Sequence, residues 1–243
     1  VIFDYGMVLS HPQDPAALNN ILAITGLDRD TFDRHYWTHR HAYDMGKLNG
    51  RTYWQQFAQD TGIRLTPTDV DRLVENDVLM WCTINEPMLA WAKSLAEAGL
   101  RIAILSNMGE ETLSYMRQEF AWLGDFHHHT WSCELGIAKP DPAIYTYTCE
   151  KLGVTPRETL FLDDKLENVE AARRVGLNAL QFRNIEQLRH DLASHGWLDG
   201  LPVPEKSPKT SHKRNSTLAC CNRAKALLCF PQKGRAAYFF LGD

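Results

Sequence analysis

Short apolar segments that end in polar residues alternate with helical segments along this chain, and this alternation constrains the fold more than any other feature. The first segment runs from Val1 to the carboxylate of Asp4, and a glycine follows at position 6. Similar strand-like segments occur at 101–106, 127–133, 159–162 and 179–182. Helical segments separate the later strands at 86–97, 110–120, 141–153 and 168–175. Strands and helices that alternate at this spacing predict an α/β fold with right-handed crossovers and a mainly parallel sheet.

A block of helical sequence interrupts the pattern directly after the first strand. From Asp14 to about Met80, apolar residues recur at helical spacing, with natural breaks at 44–47 and 66–67. Its aromatic residues, Trp37 among them, are interpreted mainly as core, with contact to a substrate as the alternative. Helices inserted at this point are predicted to cover a site at the ends of the strands.

The sequence after Gly200 has a different character, with several prolines and many Lys, Ser and Thr residues. Residues 201–243 contain eight basic and two acidic residues, so the net charge of -4 leaves about ten excess negative charges on the preceding 200 residues. Such an acidic body disfavours a broad nucleic-acid-binding face. We predict that residues 199–243 form a basic linker or disordered tail.

Several features of the sequence concern the compartment. No stretch approaches the roughly 20 apolar residues that cross a bilayer, and no signal peptide is recognisable, so we expect a cytoplasmic protein without a membrane partner. The six cysteines include no pair at the Cys-x-x-Cys spacing of zinc sites and are predicted to be free thiols.

The first strand is short and lacks an initiating Met, which leads us to expect a few residues before Val1. The oligomeric state is left open.

Polar residues stand at the predicted carboxyl ends of three strands. They are Asp4, Ser106 with Asn107, and Asp163 with Asp164. The carboxyl ends of parallel strands converge on one crevice, where ligands bind. Carboxylates gathered there would raise each other's pKa, and a bound Mg²⁺ would relieve that repulsion because it prefers oxygen ligands.

Four short segments, in order along the chain, resemble the motifs of the haloacid dehalogenase (HAD) superfamily of hydrolases. The segments are 3–8, 105–107, 139–141 and 161–164 with Asn168. The similarity spans about residues 1–190, and 44–48 is similar to a cap segment of sugar-phosphatase-like members. The resemblance implies a Rossmann-like three-layer core formed by 1–12 and 84–198, with a helical cap formed by 13–83.

The resemblance also implies catalytic roles for individual residues. Asp4 would attack phosphorus and form an aspartyl-phosphate, which divides one difficult hydrolysis into two displacements. Ser106 and Asn107 would hydrogen-bond the phosphoryl oxygens. Lys139 would neutralise charge on the nucleophile and on the transferring group.

A magnesium site is implied by the same resemblance. Mg²⁺ would be bound directly by Asp4, the backbone carbonyl of Gly6 and Asp164. Asp163 would support these ligands without binding the ion, or would bind it through a water molecule. The roles of Asp163 and Asp164 could also be reversed.

The chain departs from the usual family pattern at Gly6. Most HAD phosphatases carry a second Asp two residues after the nucleophile, and it protonates the leaving group. General acid catalysis of this kind typically contributes about 10² to 10⁴ in rate. Since glycine has no side chain, a cap residue, the substrate itself or water would have to supply the proton, and His11 is one candidate.

Three functions follow from these residues. The first is a Mg²⁺-dependent phosphatase acting on a small phosphorylated metabolite, with a sugar phosphate as the favoured substrate. The second is a 2-haloacid dehalogenase-like hydrolase, in which Asp4 attacks carbon and no acid is required. The third is a catalytically weak phosphoryl-binding protein. The paired acids at 163 and 164 favour the first, because dehalogenation does not require a cation site.

Overall fold

The computed structural model describes residues 1–197 and 201–205 and contains one five-stranded parallel sheet. The strands are β1 (Ile2–Phe3), β2 (Ala103–Ser106), β3 (His128–Trp131), β4 (Leu160–Asp163) and β5 (Asn178–Gln181). Their spatial order is β3-β2-β1-β4-β5, and every neighbouring pair is parallel. The predicted α/β fold with a parallel sheet is therefore confirmed.

The described residues also form eleven α-helices. They are α1 (Pro15–Thr25), α2 (Arg29–Tyr36), α3 (Arg40–Asp44), α4 (Gly50–Thr61), α5 (Pro67–Met80), α6 (Glu86–Glu97), α7 (Glu110–Glu119), α8 (Ser132–Leu135), α9 (Pro142–Leu152), α10 (Leu166–Val175) and α11 (Ile185–Ser194). The first five lie between β1 and β2, as the helical spacing after Asp14 predicts. Helices α8 and α11 have no counterpart in the sequence prediction.

The shortest strand lies at the centre of the sheet. Ile2 pairs with Ala103 on one side and with Phe161 on the other, and both residues of β1 are fully buried. The Asp4 N–H donates to the Leu162 carbonyl at 2.8 Å and extends the pairing by one residue. Asp4 is thereby held at the carboxyl end of the central strand.

Hydrophobic residues cover both faces of the sheet. Successive side chains of a strand point to opposite faces, so Phe3 packs with α6, α7 and α11, whereas Ile2 packs with α9 and α10. Helices on both sides of a parallel sheet give the predicted three-layer core.

Helices α1 to α5 share a hydrophobic cluster of their own. It contains large aromatic side chains that are almost fully buried: Phe32, Tyr36, Tyr43, Tyr53, Trp54 and Phe57. Capping boxes begin α4 at Asn49 and α5 at Thr66. The division into a core of 1–12 and 84–198 and a cap of 13–83 stays a prediction, and this separate cluster supports it.

The predicted tail of 199–243 lies outside the described residues except for 201–205. In that short stretch, the Pro202 carbonyl accepts a hydrogen bond of 2.8 Å from the Trp91 indole N–H of α6. Among the helices that the structure describes, none is long and apolar enough to cross a membrane.

Candidate active site

A cavity of about 700 Å³ opens at the carboxyl end of the sheet. Its lining includes the following residues predicted from the sequence: Asp4, Gly6, Ser106, Asn107, Lys139 and Asp164. Asp163 is fully buried and offers a carboxylate oxygen within 4.8 Å of ligand atoms on Asp4 and Asp164. The structure therefore brings together residues that are up to 160 positions apart in the chain.

Lys139 lies between two carboxylates beneath the cavity. Its Nζ is 2.8 Å from Asp4 Oδ1 and 2.6 Å from Asp163 Oδ2, and its side chain is only 1% exposed. Burial disfavours the charged ammonium, but the combined attraction of Asp163 and Asp4 outweighs it and raises the pKa of Lys139. The lysine is therefore a permanent positive charge beside Asp4.

The acids around Lys139 outnumber it. Burial, with repulsion from Asp163 and Asp164, overcomes the attraction of Lys139 and raises the pKa of Asp4 to about 7. Burial and Asp163 also raise the pKa of Asp164. When ionised, the three carboxylates and one ammonium leave two negative charges, the charge that one divalent cation neutralises. An all-oxygen donor set suits Mg²⁺.

The two adjacent acids have different surroundings. Asp163 Oδ1 accepts from the Lys165 N–H at 2.8 Å and from the Asn168 amide at 3.0 Å, and Oδ2 accepts from Lys139 and Asn168. Both of its oxygens are thus occupied by the protein. Asp164 is partly exposed to the cavity, and no side chain in the described ranges donates to its carboxylate. This difference supports Asp164 as the direct metal ligand and Asp163 as the residue behind it.

Ser106 is the last residue of β2 and Asn107 follows it, but their side chains make different contacts. The Ser106 hydroxyl lines the cavity and has no hydrogen-bond partner among residues 1–197 and 201–205. Asn107 exchanges two hydrogen bonds with the backbone of Lys139, accepting from its N–H at 2.8 Å and donating to its carbonyl at 2.9 Å. Asn107 therefore fixes the Lys139 loop, and Ser106 has the hydroxyl available to a ligand.

A tight π-helical turn, residues 5–9, follows Asp4. The Tyr5 N–H donates to Asp4 Oδ1 at 2.7 Å. Gly6 has φ -60° and ψ 132°, which any L residue can adopt, and a Cβ added there would meet nothing within 4 Å. The left-handed residue of the turn is instead Met7, with φ 63°, a conformation that costs a non-glycine residue about 1–3 kcal/mol. Neither backbone nor packing requires glycine at position 6.

Another part of the cavity wall comes from the inserted helices and their connections. Trp37, Trp81, Arg40 and Asp44 line it, and Trp37 is 47% exposed. Helical periodicity assigns Trp37 to the core together with its buried neighbour Tyr36, and nothing in the spacing marks Arg40 as a cavity residue. His11 is exposed and is not among the described residues that line the cavity.

Comparison with known proteins identifies one matching family and several relatives of this chain. The family model for haloacid dehalogenase-like hydrolases matches residues 10–176. Bifunctional epoxide hydrolase 2 of Sus scrofa is 28% identical over 155 residues, which make up 62% of this chain and 28% of that protein. Phosphatase MT3486 of Mycobacterium tuberculosis is 28% identical over 217 residues, 82% of this chain and 96% of that protein. This chain thus spans less than a third of the epoxide hydrolase relatives.

The solved structures agree on the fold. A HAD family enzyme of Bacteroides thetaiotaomicron, in complex with magnesium and inorganic phosphate, matches with a TM-score of 0.62 at 19% sequence identity. The match covers 75% of this chain and 92% of that one. At this level of identity the match shows that the two chains share a fold.

Proposed function

The chain belongs to the haloacid dehalogenase-like hydrolase family, and we propose that it hydrolyses a phosphate monoester of a small metabolite through an aspartyl-phosphate on Asp4. The observation that carries this proposal is the position of the Asp4 carboxylate, 2.8 Å from the buried Lys139 ammonium at the floor of the cavity. A carboxylate fixed beside a permanent cation can approach an anionic phosphoryl group, which would otherwise repel it.

The contacts of Asp4 assign different tasks to its two oxygens. Oδ1 accepts from the Tyr5 N–H and from Lys139, which hold the carboxylate in place. No donor in the described residues contacts Oδ2, so this oxygen is available to attack phosphorus. The Ser106 hydroxyl and the Lys139 ammonium would then stabilise the phosphoryl oxygens, and water would hydrolyse the intermediate in the second step.

The metal site proposed for this reaction consists of Asp4, Asp164 and the backbone carbonyl of Gly6. When bound, Mg²⁺ would neutralise charge on the transferring phosphoryl group. Asp163 would keep Lys139 and the 164–168 loop in position through its four contacts with Lys139, Lys165 and Asn168. The relative solved with magnesium and inorganic phosphate supports this choice of metal.

The size of the cavity supports a metabolite larger than inorganic phosphate. A volume of about 700 Å³ is within the range of small-molecule sites, about 300–1,000 Å³. The wall formed by the inserted helices offers the aromatic side chains of Trp37 and Trp81 and the polar groups of Arg40 and Asp44. Such a mixture suits an organic group with C–H faces and hydroxyls, so a sugar phosphate is the substrate class that we favour.

Removing the proposed metal ligand gives the first prediction. We expect Mg²⁺-dependent phosphate release from a panel of sugar, polyol and nucleoside phosphates, no release after EDTA treatment, and a loss of at least about 10²-fold in kcat/KM for Asp164→Ala. Glu167→Ala is the matched control, because Glu167 is an exposed acid nearby that does not line the cavity. Phosphate release is measured with and without added Mg²⁺.

Two results would contradict the proposed function. Full phosphatase activity in EDTA would remove the metal from the mechanism. Metal-independent release of halide from a 2-haloacid, without phosphatase activity, would instead identify a dehalogenase.

A further inference from the structure

The absence of an acid at position 6 raises the question of which group protonates the leaving oxygen. Among the described residues that line the cavity, the carboxylic acids are Asp4, Asp164 and Asp44. Asp4 and Asp164 belong to the metal cluster, where an anionic form is needed. Asp44 ends α3 and lines the same cavity, and its side chain is 14% exposed.

A buried ion cluster surrounds Asp44. Arg40 donates through Nε to Asp44 Oδ1 at 3.0 Å, and through its Nη1 to both oxygens of Asp77 at 2.9 and 3.0 Å. The Tyr36 hydroxyl also donates to Asp77, at 2.6 Å. Asp77 therefore receives three hydrogen bonds and is the main counterion of Arg40, whereas Asp44 receives one.

The charges of this cluster do not balance when both acids are ionised. One guanidinium faces two carboxylates in a buried environment, so one of the acids is favoured in its protonated form. Burial and repulsion from Asp77 outweigh the attraction of Arg40 and Lys165 and raise the pKa of Asp44. Cys133, on α8, is also near Asp44, and burial is the main cause of the raised pKa of its thiol. Asp44, which receives fewer hydrogen bonds and lines the cavity, is thus the acid of this cluster that is suited to hold a proton.

We propose that Asp44 is the general acid of the reaction, taking the place of the side chain that Gly6 lacks. This assignment rests on the phosphatase function proposed above. As Asp4 forms its bond to phosphorus, the bond between phosphorus and the ester oxygen breaks, and Asp44 donates its proton to that oxygen to release an alcohol. In the second step the Asp44 carboxylate takes a proton from the attacking water, the acyl-phosphate bond breaks, and phosphate leaves with both aspartates restored.

Other groups at the cavity are less suited to this role. Lys139 is enclosed by Asp4 and Asp163. Lys165 is exposed, with its ammonium 5.6 Å from the centre of the Trp37 ring at the cavity wall. The space beside Gly6 is open. No side chain at position 6 therefore lies between a substrate's ester oxygen and Asp44.

The test is the dependence of single-turnover rate on leaving-group pKa, measured with Mg²⁺ for a series from aryl to alkyl phosphates. We expect a shallow dependence for the unaltered enzyme. Asp44→Asn, which keeps an oxygen to accept from Arg40, should lose about 10² to 10⁴-fold on alkyl phosphates but only a few-fold on aryl phosphates, whose leaving groups need no acid. The unaltered enzyme should lose rate as the pH rises through the raised pKa of Asp44, and this decrease should disappear in the same variant, since an amide does not titrate.

Two further variants separate chemistry from structure. Asp71→Asn is the matched control, because Asp71 is an exposed acid of α5 paired with Arg51. Asp44→Asn combined with Gly6→Asp should recover activity on alkyl phosphates, because Gly6 has a backbone and a space that accept the new acid.

The proposal has clear contrary outcomes. Equal losses on aryl and alkyl phosphates would show a structural role for Asp44, and unchanged rates would show that it has no role. A steep dependence in the unaltered enzyme would show that no general acid acts, even if Asp44→Asn failed to fold. Failure of the unaltered enzyme to hydrolyse even aryl phosphates would overturn the proposed function together with this assignment.

Discussion

Asp4→Asn is expected to lower phosphatase turnover by on the order of 10⁴-fold or more while leaving the fold intact. The amide has the same shape as the carboxylate but is not a nucleophile. It also removes one of three clustered acids. Because folding raises the pKa of Asp4 from 3.8 to about 7, the metal-free protein loses stability as the pH rises between these two values, and the loss is complete above them. The variant should therefore unfold at no lower temperature than the parent at alkaline pH.

Turnover and thermal unfolding of the purified variant check this prediction together. Asp125→Asn is a suitable control, since Asp125 is an exposed acid paired with Lys93 and is not among the described residues that line the cavity. Turnover near that of the parent enzyme would end the covalent mechanism.

The second large effect is expected from Lys139→Met, which should lose both activity and stability. Methionine fills similar space but leaves Asp4 and Asp163 buried without their cation. Breaking a buried ion pair from one side costs about 3–5 kcal/mol, a large part of the roughly 5–15 kcal/mol by which such domains are stable. Urea denaturation and phosphate release measure the two losses, with the exposed Lys151→Met as control.

A double variant tests the reason for that loss. Adding Asp163→Asn to Lys139→Met removes one of the two uncompensated carboxylates, so part of the unfolding free energy should return while activity stays absent. An unchanged urea midpoint for Lys139→Met alone would be inconsistent with the buried ion network.

The strand-end residues could be predicted from the sequence because parallel strands give a simple rule. Asp4 and Asp164 follow short apolar strands and Ser106 ends one, and the carboxyl ends of such strands meet at one edge of the sheet. Lys139 lies in a loop after α8, where no periodicity applies, so its prediction depended on the family resemblance.

Other features of the site depend on hydrogen bonds and backbone conformations that the local sequence does not specify. Adjacent acids look alike in the sequence, and only the hydrogen bonds to Asp163 distinguish it from Asp164. The turn after Asp4 suggests glycine as its left-handed residue, yet Met7 has that conformation. Tertiary packing decides these points.

For the inserted helices, too, the sequence predicts the local structure but not the tertiary contacts. Apolar spacing predicts helices there, and the aromatic cluster around Tyr36 and Trp54 agrees with a core. The spacing gives no means of separating Trp37, which faces the cavity, from its buried neighbour. Arg40 and Asp44 are ordinary charged residues in the sequence, and only their burial with Asp77 reveals an excess acid.

The most direct test of the proposed mechanism is to trap the phosphorylated enzyme. A single turnover of a sugar phosphate or aryl phosphate with Mg²⁺ is quenched in acid, digested and examined by mass spectrometry. The mechanism predicts that the peptide containing Asp4 gains one phosphoryl group at early times, loses it as phosphate appears, and never gains it in Asp4→Asn. Hydrolysis at the normal rate without that adduct, or with the phosphoryl group on another residue, would contradict the assignment of Asp4 as the nucleophile.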